Sequence, residues 1–405
     1  MERLSDPFRF SFLVSVLAAA AALGGCGTGV RLPSVQEPIS SRAWRDCASD
    51  LSGREARALI DDLTLDSKTL LCEGVVLAAD GRTDEAIDLL TESGVRDKAD
   101  HRPHYLMGRI LADAGRYEEA LAAFERSRKR FPSMEVPSER IGRTVLDKKG
   151  PDEARRFLGM AQGRGLCPYG CKGLLADLQH RAGDDGAAES LYGEMVKDAP
   201  DEPAAYVGLA SLRNAKGLYA DEAELLAKAR DAAHFADLSP AQRADVLYGL
   251  GFAQYNAGRF AQARAAIAAA LALDGKRADW HVLAGFIELK DGDADKALAA
   301  FEKARDLDPR LAAAHTGVGD SLVAAGRPGD AASSFEKARD LDPTNAVIVL
   351  KAAEAKALAG ELDTARKLVA EARAIDKEHL PPEIMRRLDK LLAGQAEAGP
   401  AAPPK

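Results

Sequence analysis

The sequence predicts an all-α protein built from one helical hairpin repeated in tandem. The nine residues from Phe301 to Pro309 recur unchanged from Phe335 to Pro343, and 335 − 301 gives a period of 34 residues. Hydrophobic residues make up 46% of the chain but aromatic residues only 5%, a balance that suits helices packed through alanine and leucine. A period of this length is typical of a helix–turn–helix unit, which buries its apolar face only by stacking on copies of itself.

Each repeat has a first and a second helix. Small residues in the middle of the first helix predict that the two helices cross closely, because a larger side chain would hold their backbones apart. They recur every 34 residues, with one slip where 251 − 210 is 41, at Gly74, Gly108, Gly142, Ala176, Ala210, Gly251, Gly285, Gly319 and Ala353. Seven places later a glycine such as Gly115 marks the turn, since glycine adopts φ > 0 and lets a helix stop within one residue. In the third repeat this glycine is Gly150, which comes one place late.

The second helix of each repeat is predicted to present one apolar stripe. A small residue, usually alanine, is followed four places later by a large one, and residues three or four apart lie on the same face of a helix. The large residues are Leu90, Phe124, Leu158, Tyr192, Leu226, Ile267, Phe301, Phe335 and Val369. Prolines such as Pro132 and Pro343 end second helices, because proline cannot continue a helix.

These positions resemble the tetratricopeptide repeat family. The match in one repeat rests on Gly108, Gly115, Tyr117, Ala120, Phe124 and Pro132. The resemblance implies a right-handed superhelical solenoid of about nine helix–turn–helix repeats. It also implies a non-catalytic protein that binds other proteins on the concave face formed by its first helices.

The repeat frame divides the chain into segments. We expect five repeats, an insertion between two blocks, four further repeats, and a final helix that caps the array, because solenoids require a polar cap. The predicted segments are a signal peptide (1–25), a lipidated tether (26–40), a helical leader (41–66), repeats 1–5 (67–233), the insertion (234–240), repeats 6–9 (241–379), the capping helix (380–392) and a disordered tail (393–405). The insertion either lengthens one connection or marks a bend.

The N-terminus has the pattern of a secretory signal. Arg3 and Arg9 precede an apolar run over residues 10–23, which is short for a permanent membrane span. The small residues before Cys26 resemble a bacterial lipobox, which implies that Cys26 becomes the acylated (palmitate-bearing) first residue of the mature lipoprotein. Gly27 then favours sorting to the outer membrane, facing the periplasm. The alternative is a plain signal peptide in which Cys26 is incidental.

Four further cysteines, an even number, suit an oxidising compartment. Cys167 and Cys171 form one candidate disulfide and Cys47 and Cys72 the other, which would join the leader to the first repeat. Four free thiols are the alternative. The spacing of Cys167 and Cys171, with no βαβ pattern around them, argues against a redox motif.

Composition and motifs point away from catalysis. The net charge of −8 gives no basic footprint for nucleic acid. The acidic residues from Asp291 to Asp295 imitate a calcium loop, but Lys296 replaces its glycine and the segment leads into a second helix. We expect no enzyme activity, no cofactor and no metal.

The family resemblance places partner-binding residues one and four places beyond the small residue of each first helix. The candidate residues near these positions are Arg109, Arg143, Arg181, Tyr248, Phe252, Tyr255, Asn256 and Phe286. The four aromatic residues would form a shelf for an extended or helical peptide. Alternatively, Tyr248 and Phe252 fill the interface between repeats, and the arginines are solvated.

Two functions are therefore predicted. The first is a membrane-anchored scaffold or assembly factor for an envelope machine such as a pilus or secretin, a secretion system or an exopolysaccharide exporter. The alternative is a periplasmic chaperone that holds outer-membrane or pilin subunits. Both bind protein partners of the cell envelope in the groove, and both contact the membrane through the N-terminal lipid.

Overall fold

The computed structural model describes residues 43–46 and 67–393, and every regular element in these ranges is helical. The predicted all-α class is confirmed. The helices are α1 Ser67–Ala79, α2 Thr83–Arg96, α3 Arg102–Asp113, α4 Tyr117–Arg130, α5 Ser138–Lys149, α6 Pro151–Gly163, α7 Tyr169–Arg181, α8 Asp185–Asp198, α9 Pro203–Ala215, α10 Tyr219–Asp231, α11 Pro240–Asn256, α12 Phe260–Leu273, α13 Ala278–Lys290, α14 Ala294–Leu307, α15 Ala312–Ala324, α16 Pro328–Leu341, α17 Ala346–Leu358, α18 Leu362–Ile375 and α19 Pro382–Leu392.

The first eighteen of these helices follow one another as short-turned pairs, which we number as repeats 1 to 9. The glycine between the two helices of a repeat has positive φ, as Gly115 does at 79°. The off-register Gly150 also has positive φ, at 91°, so the turn in repeat 3 shifts by one residue and keeps its geometry. Because glycine lacks a Cβ, this left-handed conformation carries little strain.

The described residues fall into two compact units. The first contains the residues up to Pro137 together with residues 163–166, and the second contains residues 138–162 and those from Cys167 onward. The predicted insertion lies inside the second unit. There a 3₁₀ turn, Ala233–Asp237, leads to Ser239, which caps the N-terminus of α11 and forms a capping box with Gln242.

Close helix crossings occur where the sequence places glycine. A Cβ built on Gly108 would lie 2.6 Å from Cε1 of Phe124, and one on Gly319 would lie 2.7 Å from Cε1 of Phe335. Both phenylalanines are fully buried. These repeats thus pack a large residue of the second helix against the backbone of the first helix.

Contacts between successive repeats use the same large residues. Phe301 faces Gly285 of its own repeat and Gly317 of the next, and a Cβ at either glycine would clash with its ring. A continuous core runs through repeats 7 to 9 and includes Phe301, Phe335 and Val369. This core also reaches α19, whose Leu388 is fully buried.

Several predictions concern residues outside the described ranges. These are the signal peptide, the tether with Cys26, most of the leader with Cys47, and the tail from residue 394. Residues 43–46 of the leader are helical, and Trp44 is buried. Within the described ranges, no helix combines the length and apolar character needed to cross a membrane.

Candidate partner-binding face

The first helices of repeats 6 to 9 belong to the second compact unit, and we call their shared surface the first-helix face. It is formed by α11, α13, α15 and α17, and neighbouring members α11 and α13, and α13 and α15, pack against each other. Each first helix also packs on the second helix of the preceding repeat. These contacts fix which side chains meet between adjacent first helices.

An aromatic cluster of four rings lies at repeats 5 to 7. Tyr248 stacks on Trp280, with ring centroids 5.1 Å apart and planes 11° apart. The ring centroid of Phe252 lies 6.5 Å from that of Tyr248 and 6.2 Å from that of Tyr219. Trp280 is buried, whereas the other three rings are half-buried. The cluster therefore has a buried base beneath rings that solvent still reaches.

The remaining predicted aromatic residues contact other partners. Tyr255 packs on Phe260 at 5.8 Å, and Phe286 packs edge-on against the core residue Phe301 at 5.0 Å. The ring contacts therefore assign Tyr248 and Phe252 to the aromatic cluster and the other two to separate pairs. Exposed Asn256 donates from Nδ2 to the Phe252 carbonyl oxygen, a bond within its own helix.

Charged side chains border the aromatic cluster. The Arg277 guanidinium lies 4.8 Å from the Trp280 ring centroid, a cation–π contact. Arg277 also approaches Asp279, with Nε 3.4 Å from Oδ1. Burial raises the pKa of the Tyr248 phenol above its usual range, and Asp279 acts in the same direction.

The predicted arginines divide between the two compact units. Arg109 is half-buried on α3 in the first unit. Arg143 on α5 in the second unit is exposed and forms an ion pair with Glu139 one turn away, at 2.9 Å. Arg181 is exposed at the end of α7. The local pair of Arg143 agrees with a solvated role for that side chain.

Two acidic residues on the first-helix face were missed by the sequence analysis. Asp320 and Glu354 follow the small residues Gly319 and Ala353, and 354 − 320 is again 34. Asp320 pairs with Lys351, and Glu354 pairs with Arg387 of α19. Burial raises the pKa of Asp320, while Lys351 and Arg387 oppose the rise. The positional rule that selected Phe252 and Phe286 would have found both acids if extended to repeats 8 and 9.

Trp280 and Tyr219 were also missed. Trp280 with Leu283 matches W-x-x-L, the start of the first-helix signature of this repeat class, and this local pattern is the signal that points to Trp280. No pattern within one repeat points to Tyr219, because it begins a second helix and meets Phe252 of the following repeat. Its role depends on packing between repeats.

Cysteine pairing adds a covalent constraint beside α7. Cys167 and Cys171 form a disulfide with Cα atoms 5.1 Å apart. Cys72 is disulfide-bonded as well, and its predicted partner Cys47 lies outside the described residues.

The acidic segment at the start of α14 has structural roles. Asp293 accepts a hydrogen bond from the Lys296 backbone N–H at 3.0 Å and so caps α14, whereas Asp291 pairs with Arg264. In the ranges 43–46 and 67–393, no group of three or more His, Cys, Asp or Glu residues is arranged to hold a metal ion.

Comparison with protein families identifies the repeats. Three models described as tetratricopeptide repeat match residues 101–133, 248–312 and 322–382. These segments include the aromatic cluster residues Tyr248, Phe252 and Trp280, and Glu354 of the first-helix face, whereas Asp320 lies between the second and third segments. No curated protein matches the chain.

Three solved structures show comparable helical arrays. PilW, described as a widely conserved type IV pilus biogenesis factor, is 20% identical, covers 55% of this chain and 98% of its own, and has a TM-score of 0.46. Pseudomonas aeruginosa PilF is 17% identical, covers 61% of this chain and 100% of its own, and has a TM-score of 0.44. YrrB, described as a tetratricopeptide repeat protein with an unusual peptide-binding site, is 18% identical. It covers 49% of this chain and 97% of its own, with a TM-score of 0.39.

Proposed function

Because this chain carries tetratricopeptide repeats, we propose that it is a non-catalytic scaffold that binds protein partners on its first-helix face. The observation that carries this proposal is the aromatic cluster, in which half-buried Tyr248 stacks on the buried ring of Trp280 and half-buried Phe252 lies beside Tyr248. Aromatic side chains that stand in partly desolvated positions supply much of the binding energy at protein interfaces.

The cluster suits a peptide segment or a helix as its ligand. Half-buried rings offer apolar area, and the flanking Arg277 and Asp279 offer hydrogen bonds at the edge of that area. The rings of Tyr248 and Phe252 pack against rings of neighbouring helices, so these two side chains lose little conformational freedom when a partner binds. An apolar centre with a polar rim is the usual anatomy of a protein–protein interface.

We further propose that the scaffold is a lipoprotein on the periplasmic face of the outer membrane. The support is the sequence of the N-terminus, in which a short apolar run ends in small residues and Cys26. Several acyl chains at Cys26 would anchor the protein durably, since each buried methylene contributes about 0.8 kcal/mol. The partner would then be an envelope machine such as a pilus or secretin, a secretion system or an exopolysaccharide exporter.

Affinity purification from membranes tests the proposal. The chain is tagged in its native host, and partner recovery is measured by quantitative mass spectrometry for wild type and for the Tyr248→Ala/Phe252→Ala variant. Phe131→Ala is the matched control, because Phe131 is 47% exposed in the first compact unit and lies outside the aromatic cluster. We expect fixed partners to be lost from the double variant and retained by the control.

Other outcomes separate the alternatives. Equal recovery from all three chains would contradict binding on the first-helix face. Recovery of many clients in variable amounts, together with suppression of their aggregation, would favour the holdase instead of the scaffold.

A further inference from the structure

The last helix, α19, has the register of a tenth first helix. The first helix α17 spans Ala346–Leu358, and a shift of 34 residues ends at Leu392, where α19 also ends. Arg387 then takes the place that Gly319 and Ala353 hold in repeats 8 and 9, because 387 − 353 is 34. A long charged residue at this place would hold a second helix away from the close crossing seen in repeats 8 and 9.

The packing of α19 differs from that of a regular first helix. Besides the second helix of its own repeat, each of α13, α15 and α17 packs mainly on the second helix of the preceding repeat. By contrast, α19 packs mainly on the first helix α17 and only slightly on the second helix α18. It therefore lies over the first-helix face at repeat 9.

Apolar and charged contacts both hold α19 in this position. Leu388 is fully buried, and Ile384, Met385 and Leu391 are partly buried against the core of repeats 8 and 9. Arg387 forms a bidentate salt bridge with Glu354, with Nε 2.6 Å from Oε1 and Nη2 3.1 Å from Oε2. Glu354 is only 14% exposed, and it occupies the position of the face at which Phe252 and Phe286 stand in repeats 6 and 7.

The attachment of α19 is nevertheless slight. The helix has 11 residues, and an isolated helix of that length is marginal in water. Leu388 is its one fully buried side chain, and the Arg387 side chain is 58% exposed. A terminal element with few buried contacts opens at lower free energy than the repeats beneath it.

We propose that the surface formed by α17 with Glu354, together with Asp320 of α15, is a docking site for an amphipathic partner helix that carries an arginine directly before a leucine. The helix α19 is the exchangeable occupant of this site. This inference rests on the proposed scaffold function and names the chemistry of a partner. The half-buried acids of the site attract a guanidinium, and the apolar surface that Leu388 covers accepts the leucine. A partner helix of this pattern reproduces the contacts of Arg387 and Leu388 and displaces α19.

A peptide with the sequence of residues 380–393 serves as the probe. It is labelled with fluorescein and titrated against the full chain, and anisotropy gives the apparent Kd. The Arg387→Glu chain is expected to bind the peptide about tenfold more tightly than wild type, because loss of the ion pair frees the site. Adding Glu354→Gln to that chain is expected to weaken binding again, since the peptide arginine loses its carboxylate.

The neighbouring arginine provides a matched control. Arg386 is exposed on the same helix, and its Nε donates to the Pro382 carbonyl oxygen one turn away. The Arg386→Glu chain undergoes the same charge change and is expected to bind the peptide as wild type does. Equal apparent Kd values for the Arg386→Glu and Arg387→Glu chains would overturn the proposal.

Two further measurements keep the outcomes distinct. Amide hydrogen exchange is expected to be faster in α19 than in α17, and equal protection would contradict exchange of α19. If wild type instead forms a dimer whose fraction rises with concentration and falls in the Arg387→Glu chain, the occupant is α19 of a second copy, and the partner-helix proposal is wrong. If the Arg387→Glu chain does not bind the peptide more tightly than wild type, but the Tyr248→Ala/Phe252→Ala variant still loses its partners, the inference about α19 is refuted and the proposed scaffold function is not.

Discussion

Tyr248 lies parallel to Trp280, with ring centroids 5.1 Å apart, although the two residues belong to successive repeats. The stacking joins the first helices α11 and α13, and it leaves one ring buried and the other partly exposed. One side chain is thus part of the buried core, and the other remains accessible to a binding partner.

The two residues should respond differently to truncation. Trp280→Ala empties a fully buried site and is expected to destabilise the protein by about 3–5 kcal/mol. Tyr248→Ala removes a half-buried ring and should lower stability less while weakening partner binding more. Urea unfolding followed by circular dichroism measures the first effect, and partner recovery measures the second. A larger loss of stability from Tyr248→Ala than from Trp280→Ala would contradict the assignment.

Replacing the glycine at a helix crossing should destabilise the protein where the facing residue of the second helix is large. Gly319→Ala places a methyl group 2.7 Å from Cε1 of Phe335 and is expected to destabilise by about 1–3 kcal/mol. Gly159→Ala is the control, because Gly159 lies within α6 with nothing near its Cβ position. That change should stabilise by about 0.5–1 kcal/mol.

A second substitution tests whether the crowding is specific. Repeat 9 has Ala353 and Val369 at the equivalent positions, so a smaller residue accompanies the alanine. Phe335→Val should therefore reduce the destabilisation caused by Gly319→Ala. Simple additivity of the two changes in unfolding free energy would show that Phe335 is not the obstacle.

Glu222 should make stability depend on pH. It stands where most repeats have alanine, it is 5% exposed, and its oxygens accept hydrogen bonds from Nδ2 of Asn214 at 3.0 and 2.9 Å. Burial raises the pKa of this carboxyl. A raised folded-state pKa means that its favourable contribution is present below the unfolded pKa of about 4.3 and is lost as pH rises through the folded value.

The isosteric variant exposes this dependence. The melting temperature of Glu222→Gln should exceed that of wild type by a margin that grows as pH rises from 4 to 7. Glu224→Gln changes an exposed carboxylate on the same helix and should show no such growth. A pH-independent difference between Glu222→Gln and wild type would contradict the buried charge.

Membrane attachment should depend on Cys26. The Cys26→Ala variant loses the acylation site, so we expect it to leave the outer-membrane fraction. Cell fractionation with immunoblotting measures this, and Cys72→Ala serves as a control that removes a different cysteine. A Cys26→Ala protein that stays in the outer membrane would contradict a lipid anchor.

The sequence predicted those features that depend on one repeat at a time. Gly108 with Phe124 and Gly319 with Phe335 recur at fixed spacing, and their contacts lie within a single helical hairpin. Helix periodicity and turn glycines are local signals, so the all-α fold was predictable. The same positional rule would have identified Asp320 and Glu354 had it been followed into the last two repeats.

Contacts between repeats were harder to predict. The approach of Gly317 to Phe301 and of Tyr219 to Phe252 depends on how one hairpin lies on the next. The expected aromatic shelf treated its four members as equivalent, but Phe286 faces the core residue Phe301. The packing of α19 on α17 depends on which face of a terminal helix meets the array, and the repeat period does not specify that face.

Site-specific photo-crosslinking tests the binding of partners on the first-helix face most directly. A photoreactive phenylalanine analogue is introduced at Phe252 and, in a separate chain, at Phe131, and cells are irradiated before purification. We predict discrete crosslinked partners from position 252 and none of these from position 131. Crosslinks to the same partners from position 131, with none from position 252, would contradict the account.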